Sequence, residues 1–186
     1  MKKIALTTLL LISNLICFSQ EVSKDLIYTN VVKVDSLTKA NQLFINAKSW
    51  FAENYKSSQD VIQLEDKEEG KIIGKGSFKY NSNVFVYSNG TKGNISYTIT
   101  IYVKDGRYKY EISNFIHEGN PSNVGGQVSF GLITTDEECP KDISTKGWRN
   151  KVWKDIKQQI EDYVNPVILS LNNYMLKSIT KKEEKW

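Results

Sequence analysis

Asp105-Gly106 lies between two runs of alternating apolar and polar residues, 95–104 and 107–116, and this arrangement restricts the fold more than any other feature of the chain. The dipeptide suits a two-residue type I′ turn, in which both central residues need positive φ. Folding about it pairs Val103 with Tyr108, Ile101 with Tyr110, Ile99 with Ile112 and Ile95 with Ile116 on one face. The other face then carries Lys104 with Arg107, Tyr102 with Lys109, Thr100 with Glu111 and Thr98 with Ser113. A slip of one residue would mix the two sets. The expected product is an antiparallel hairpin, apolar on one side and wettable on the other.

Further elements flank it. Residues 26–34 are rich in β-branched side chains and read as a first strand. Asp35, Ser36 and Thr38 are plausible N-caps before a helical stripe of Ala40, Leu43, Phe44, Ala47, Trp50 and Phe51, which should run to about Tyr55. A second strand follows at 60–65, a polar turn at 66–70 and a third strand at 71–80. Gly74 and Gly76 interrupt that strand and suggest a bulge or a close approach by neighbouring backbone. Asn81-Ser82-Asn83 and Ser88-Asn89-Gly90 carry turn chemistry around a short apolar insert, 84–87. Residues 118–147 lack a clear period and read as a long ordered loop with room for one short strand. A last helix is expected from Thr145 to about residue 180, its buried stripe running from Trp148 through Trp153 and Ile160 to Met175. Pro166 lies inside it and should kink or break it. Residues 181–186 form a charged tail.

The N-terminus reads as a targeting segment. Lys2 and Lys3 precede an apolar run, 4–16, and Cys17-Phe18-Ser19 offers the small-residue pattern of a signal-peptidase site. The run is too short to span a bilayer core of roughly 30 Å. Export to the periplasm or the exterior, with cleavage near Ser19-Gln20, is therefore expected, rather than a buried N-terminal helix. Lipid attachment at Cys17 is disfavoured by Ile16, which sits where lipoprotein signals carry a small residue. Cleavage removes two of the 25 basic residues and leaves 23 against 21 acidic ones, a net charge of +2. That is a poor drive for binding nucleic acid, which needs clustered Lys and Arg. Only Cys139 would remain, so no intramolecular disulfide could form.

The order is strand, helix, four strands, helix, the pattern of an α+β fold with an antiparallel sheet and two helices packed on one face. It resembles a family of exported bacterial proteins known only as a domain of unknown function with a TATA-binding-protein-like (TBP-like) fold. The resemblance rests on Ala47-Lys48-Ser49-Trp50-Phe51, on Asp60-Val61-Ile62-Gln63 with Gly70-Lys71-Ile72-Ile73-Gly74-Lys75-Gly76, and on Val103-Lys104-Asp105-Gly106-Arg107-Tyr108. It covers about residues 30–118, with the last helix a looser match, inside a single domain spanning 20–180. It implies a fold and an envelope location, but no reaction. DNA binding does not follow from the fold's name, because function belongs to sites.

Chemistry-bearing residues are few. His117 is the only histidine, and the His/Cys clusters of zinc sites are missing, so neither a metal nor a cofactor is expected. A Cys139–His117 nucleophile pair is arithmetically possible, but nothing nearby in sequence would fix the imidazole tautomer. A surface histidine and a semi-buried cysteine are the plainer expectation. Asp66, Glu68 and Glu69 read as a solvated turn. Asp136, Glu137 and Glu138 lack the oxygen-ligand spacing of a calcium loop. The glycines of 70–76 lack the Gly-Lys-Ser/Thr ending of a phosphate loop and read as structural. Trp148 and Trp153 read as core. The wettable hairpin face is the one surface nominated for binding: Tyr102, Lys104, Arg107 and Lys109 set an aromatic ring among cations, suited to an acidic glycan, a peptide carboxylate or an anionic headgroup.

The expected function is a non-catalytic binding or interaction module of the cell envelope, taking a protein, peptide or glycan partner. An envelope hydrolase with a carboxylate or Cys–His site in 118–147 is the alternative. The oligomeric state is not legible. Intact-mass measurement of the exported product is expected to place Gln20 at the N-terminus; a diacylated Cys17 would overturn the cleavage assignment.

Overall fold

The computed structural model describes residues 24–55, 61–84, 88–121, 126–140 and 146–176. The targeting segment and its cleavage site, residues 85–87 of the insert, Thr145 and the charged tail lie outside the described residues. The elements are β1 (Tyr28–Lys33), α1 (Ala40–Asn54), β2 (Ile62–Asp66), β3 (Lys71–Tyr80), the short α2 (Ser88–Thr91), β4 (Gly93–Lys104), β5 (Arg107–Gly119), β6 (Gly131–Leu132) and α3 (Lys146–Leu176). The antiparallel strands run in the spatial order β1-β5-β4-β3-β2, with β6 also paired to β5. Both long helices pack on the same face. The fold is the expected α+β arrangement, with β6 as a short strand within the long loop and a helical turn at Ser88–Thr91 in place of a simple turn.

The hairpin register is the one its alternation dictates from Lys104↔Arg107 down to Thr98↔Ser113. Beyond that it departs from expectation. Ser96 pairs with Ile116 and Ile95 with His117, not with Ile116. Tyr97 therefore faces two residues, Asn114 and Phe115. Asn114 holds φ at 55°, a left-handed conformation that asparagine tolerates better than most residues. This bulge reverses the faces of the rest of β5, turning Phe115 and His117 into the core and Ile116 outward.

The turn differs as well. Gly106 has φ of +69°, but Asp105 is not among the positive-φ residues, which gives the φ signs of a type II turn, not type I′. Asp105 is held by α1. Its carboxylate accepts hydrogen bonds from the Ala40 backbone N–H (2.8 Å) and Lys39 Nζ (3.0 Å), and the Gly106 N–H donates to the Thr38 carbonyl. These contacts hold the Asp105 carboxyl below its usual range. Asp35, Ser36 and Thr38 do not cap the helix: Lys39 occupies the N-cap position without a side-chain bond. Asp35 bonds the Leu37 N–H within its own turn. The cap comes from the hairpin tip.

Leu43, Phe44, Ala47, Trp50 and Phe51 form the buried stripe of α1, as the helical period requires. Gly74 and Gly76 admit side chains, not backbone. A Cβ at Gly74 would lie 2.5 Å from the Phe51 ring, and one at Gly76 would lie 2.4 Å from the Tyr97 ring. The bulge near these glycines is on β2, between Ile62 and Leu64. Helix α3 buries Val152, Trp153, Ile156, Ile160, Val164, Leu171 and Met175 in the same core. Pro166 does not break it. Proline lacks the N–H that the Asp162 carbonyl would accept, but Asp162 and Pro166 both lie on the exposed side, while Val164 and Leu171 stay buried.

Gly106→Val is expected to destabilise the domain by about 1–3 kcal/mol, since a β-branched residue resists positive φ and its Cβ would meet Ser36 Cα at 3.2 Å. Urea denaturation checks this; an unchanged midpoint would mean the turn tolerates other backbone conformations.

Candidate functional site

Both long helices lie on one face, so among the described residues no long helix covers the other face of the five strands. Its side chains line up in rows. One row places Val31, Lys109, Tyr102 and Lys71 side by side on β1, β5, β4 and β3. Lys71 and Lys109 hold their Nζ atoms 5.5 and 5.7 Å from the Tyr102 ring centroid, a cation–π pairing on neighbouring strands. Lys109 also meets Glu111 at 3.3 Å. The adjacent row, at the hairpin end, places Lys33, Arg107 and Lys104 together. Between the rows lies a groove of about 390 Å³ lined by Val31, Tyr102, Lys104, Arg107, Tyr108 and Lys109. The structure thus gathers all four residues nominated from sequence into one concavity. It adds Val31, which came from an apparently ordinary strand, and Lys71, whose place beside Tyr102 depends on β3 pairing.

His117 is not on the surface. It is fully buried, edge-on to Tyr80 at 5.0 Å and to Phe130 at 5.5 Å. The Phe130 backbone N–H donates to Nδ1 at 3.2 Å, so the proton sits on Nε2, which donates to the Thr91 carbonyl at 2.8 Å. The tautomer is therefore fixed by backbone groups distant in sequence, and the expected surface histidine is instead a core residue. Burial lowers the His117 pKa, opposed by the Thr91 bond and by Glu118. With both ring nitrogens committed, neither is available to Cys139. The buried cysteine instead donates its backbone N–H to Asn150 Oδ1 at 2.9 Å.

Three of the aspartates make structural hydrogen bonds. Asp66 Oδ1 accepts the backbone N–H groups of Glu68 and Glu69, closing the turn before β3. Asp136 accepts from Thr134 Oγ1, while Glu137 and Glu138 are exposed. Asp155, which the sequence did not single out, takes four hydrogen bonds from Tyr80, Asn83 and Gln159 and ties α3 to the end of β3. Among the described residues, no group of three His, Cys, Asp or Glu side chains is placed to hold a metal ion. Trp153 is wholly buried, with Nε1 donating to the Asp136 carbonyl at 2.9 Å, so it offers no face to a sugar.

A second polar feature was not legible. The hydroxyls of Tyr55, Tyr97 and Tyr163 form a chain of 2.8 and 3.1 Å inside the core, and Phe78 stacks on Tyr163 at 4.1 Å. Burial pushes the Tyr55 hydroxyl up to about 12 and raises Tyr97 further. The Tyr55 and Tyr97 phenols therefore stay protonated, and the three hydroxyls bind the helices to the sheet.

Residues 28–118 match the model of a family described as a domain of unknown function (DUF4468) with TBP-like fold. Two solved structures share the architecture. A TBP-like protein from Parabacteroides distasonis is 16% identical over 80% of this chain and 94% of its own, with a TM-score of 0.56. A DUF4468 family protein from Bacteroides ovatus is 14% identical over 83% of this chain and 88% of its own, with a TM-score of 0.58. At that identity the likeness is one of fold. No curated protein matches the chain. No helix among the described residues is long and apolar enough to cross a membrane.

A histidine held neutral in the fold but free to protonate when unfolded makes stability rise with pH between its folded and unfolded pKa values. The His117 contribution is therefore complete above 6.5 and declines as pH falls below it. Urea midpoints measured from pH about 7.5 to about 5 are expected to fall for the wild type. They should fall less for His117→Gln, whose amide can serve both Thr91 and Phe130 without titrating. Parallel slopes would show that His117 is not the group responsible.

Proposed function

We propose that this chain, whose residues 28–118 belong to the DUF4468 family and carry its TBP-like fold, is an exported, non-catalytic binding module of the cell envelope. Its ligand surface is the open sheet face around Tyr102, Lys104, Arg107 and Lys109. The observation that carries this reading is the groove of about 390 Å³ on a face that neither helix covers, with an aromatic ring and an excess of cations at its rim. Its volume lies within the roughly 300–1,000 Å³ of small-molecule sites. Export is supported by the cationic and apolar N-terminal pattern of residues 1–19. The hydrolase alternative loses its Cys–His form, because both nitrogens of the imidazole are bonded to backbone.

The groove's cations are too few, and the mature net charge too small, for a nucleic-acid channel. The partner is an envelope protein, peptide or glycan. Mild crosslinking in envelope extract is expected to recover material with the wild type that falls by about tenfold with the Lys104→Glu/Arg107→Glu double variant, because both rim cations become repulsive. Equal recovery would remove the sheet face from the reading. Retention of duplex DNA at physiological salt would reverse the nucleic-acid exclusion.

A further inference from the structure

The cationic row at the hairpin end is arranged against the interest of the fold. Lys33 is the direct register partner of Arg107, and Arg107 of Lys104, so three like charges stand on adjacent strands about 4.8 Å apart. Like charges directly opposite one another destabilise a sheet. None of the three makes an ion pair among the described residues. Carboxylates on neighbouring residues are bonded elsewhere: Glu111 to Lys109, Asp105 to Lys39 and the Ala40 N–H, and Asp35 to the Leu37 N–H. Elsewhere the chain does alternate signs, as where Lys48 of α1 meets Glu65 of β2 at 2.8 Å. A second pair of cations, Lys109 and Lys71, stands one row away beside Tyr102. The patch has charge to neutralise and a groove beside it.

We infer that this groove binds an acidic oligosaccharide, a chain of sugar rings carrying carboxylates. The inference rests on the binding-face reading above and names its ligand. The Lys33, Arg107 and Lys104 row, with Lys71 one row away and Lys109 already offset by Glu111, calls for several negative charges spread along the ligand, not a single ion. The planar fork of Arg107 matches a carboxylate, and the lysines act as point charges beside it. Val31 and the edge of Tyr102 supply apolar contact for sugar C–H groups. A peptide strand is the weaker fit. It would need free main-chain groups on the β1 edge, and the Val31 N–H there is already bonded to Asn30 Oδ1 at 2.8 Å.

Calorimetric titration of the full mature chain with oligogalacturonate at low ionic strength tests this. The fully methyl-esterified oligomer, oligoglutamate and phosphatidylglycerol vesicles serve as the other arms. Binding of oligogalacturonate is expected, weakened about tenfold in Lys104→Gln/Arg107→Gln and lost for the methyl ester. Absence of that binding, its persistence in the double variant, or equal binding of the ester overturns the inference. If oligoglutamate or vesicles bind instead, and the double variant abolishes it, the ligand class is wrong while the binding face stands. If no probe binds, both fall. A ligand-free readout tests the charge argument separately: Arg107→Gln should raise the melting temperature by about 1–3 °C at low salt. That gain should vanish at high salt. No rise at low salt would show that the row carries no repulsion and would remove the ground for an anionic ligand.

Discussion

The helices can sit on this sheet only because two inward positions of β3 carry no side chain. Phe51 from α1 fills the space over Gly74, and Tyr97 from β4 lies across its own cross-strand partner, Gly76. Through that gap the Tyr97 hydroxyl reaches Tyr55 at the end of α1 and Tyr163 in the middle of α3. One cleared strip therefore sets the separation of the two layers and lets a sheet residue touch both helices. Buried methyl groups added there would meet aromatic carbons well inside contact distance, and close-packed interiors absorb such additions poorly.

With both long helices on one face, the other carries a lighter packing load. On the inner face, residue type is fixed by volume; on the outer face, by compatibility with water and with neighbours across the strands. The outer rows satisfy the first requirement and, at Lys33, Arg107 and Lys104, fail the second. Failure of a local rule where structure imposes no reason for it is the usual mark of a surface shaped by something other than folding.

Much of this was legible in the residues. Alternation around Asp105-Gly106 specified the register as far as Thr98↔Ser113, and helical spacing identified the buried stripes of α1 and α3. The four nominated residues share a face for the same reason. The bulge at Asn114 was not legible, because a single asparagine within an alternating run carries no signal of its own. Every misplacement of Ile116 and His117 follows from it. The origin of the α1 cap was hidden for another reason: local sequence offered three conventional candidates, and the group that acts lies 65 residues away.

That distant cap bears on the order in which the molecule can assemble. An isolated helix of 15 residues is marginal in water, since its first turn costs more than it returns. Here the group that relieves the first turn becomes available only when β4 and β5 have met and presented Asp105. The cap of α1 therefore depends on a long-range pairing, and chains that lose the hairpin lose a contribution of about 1 kcal/mol to the helix. The hairpin tip is thus a latch that ties the start of α1 to a turn 65 residues further along the chain.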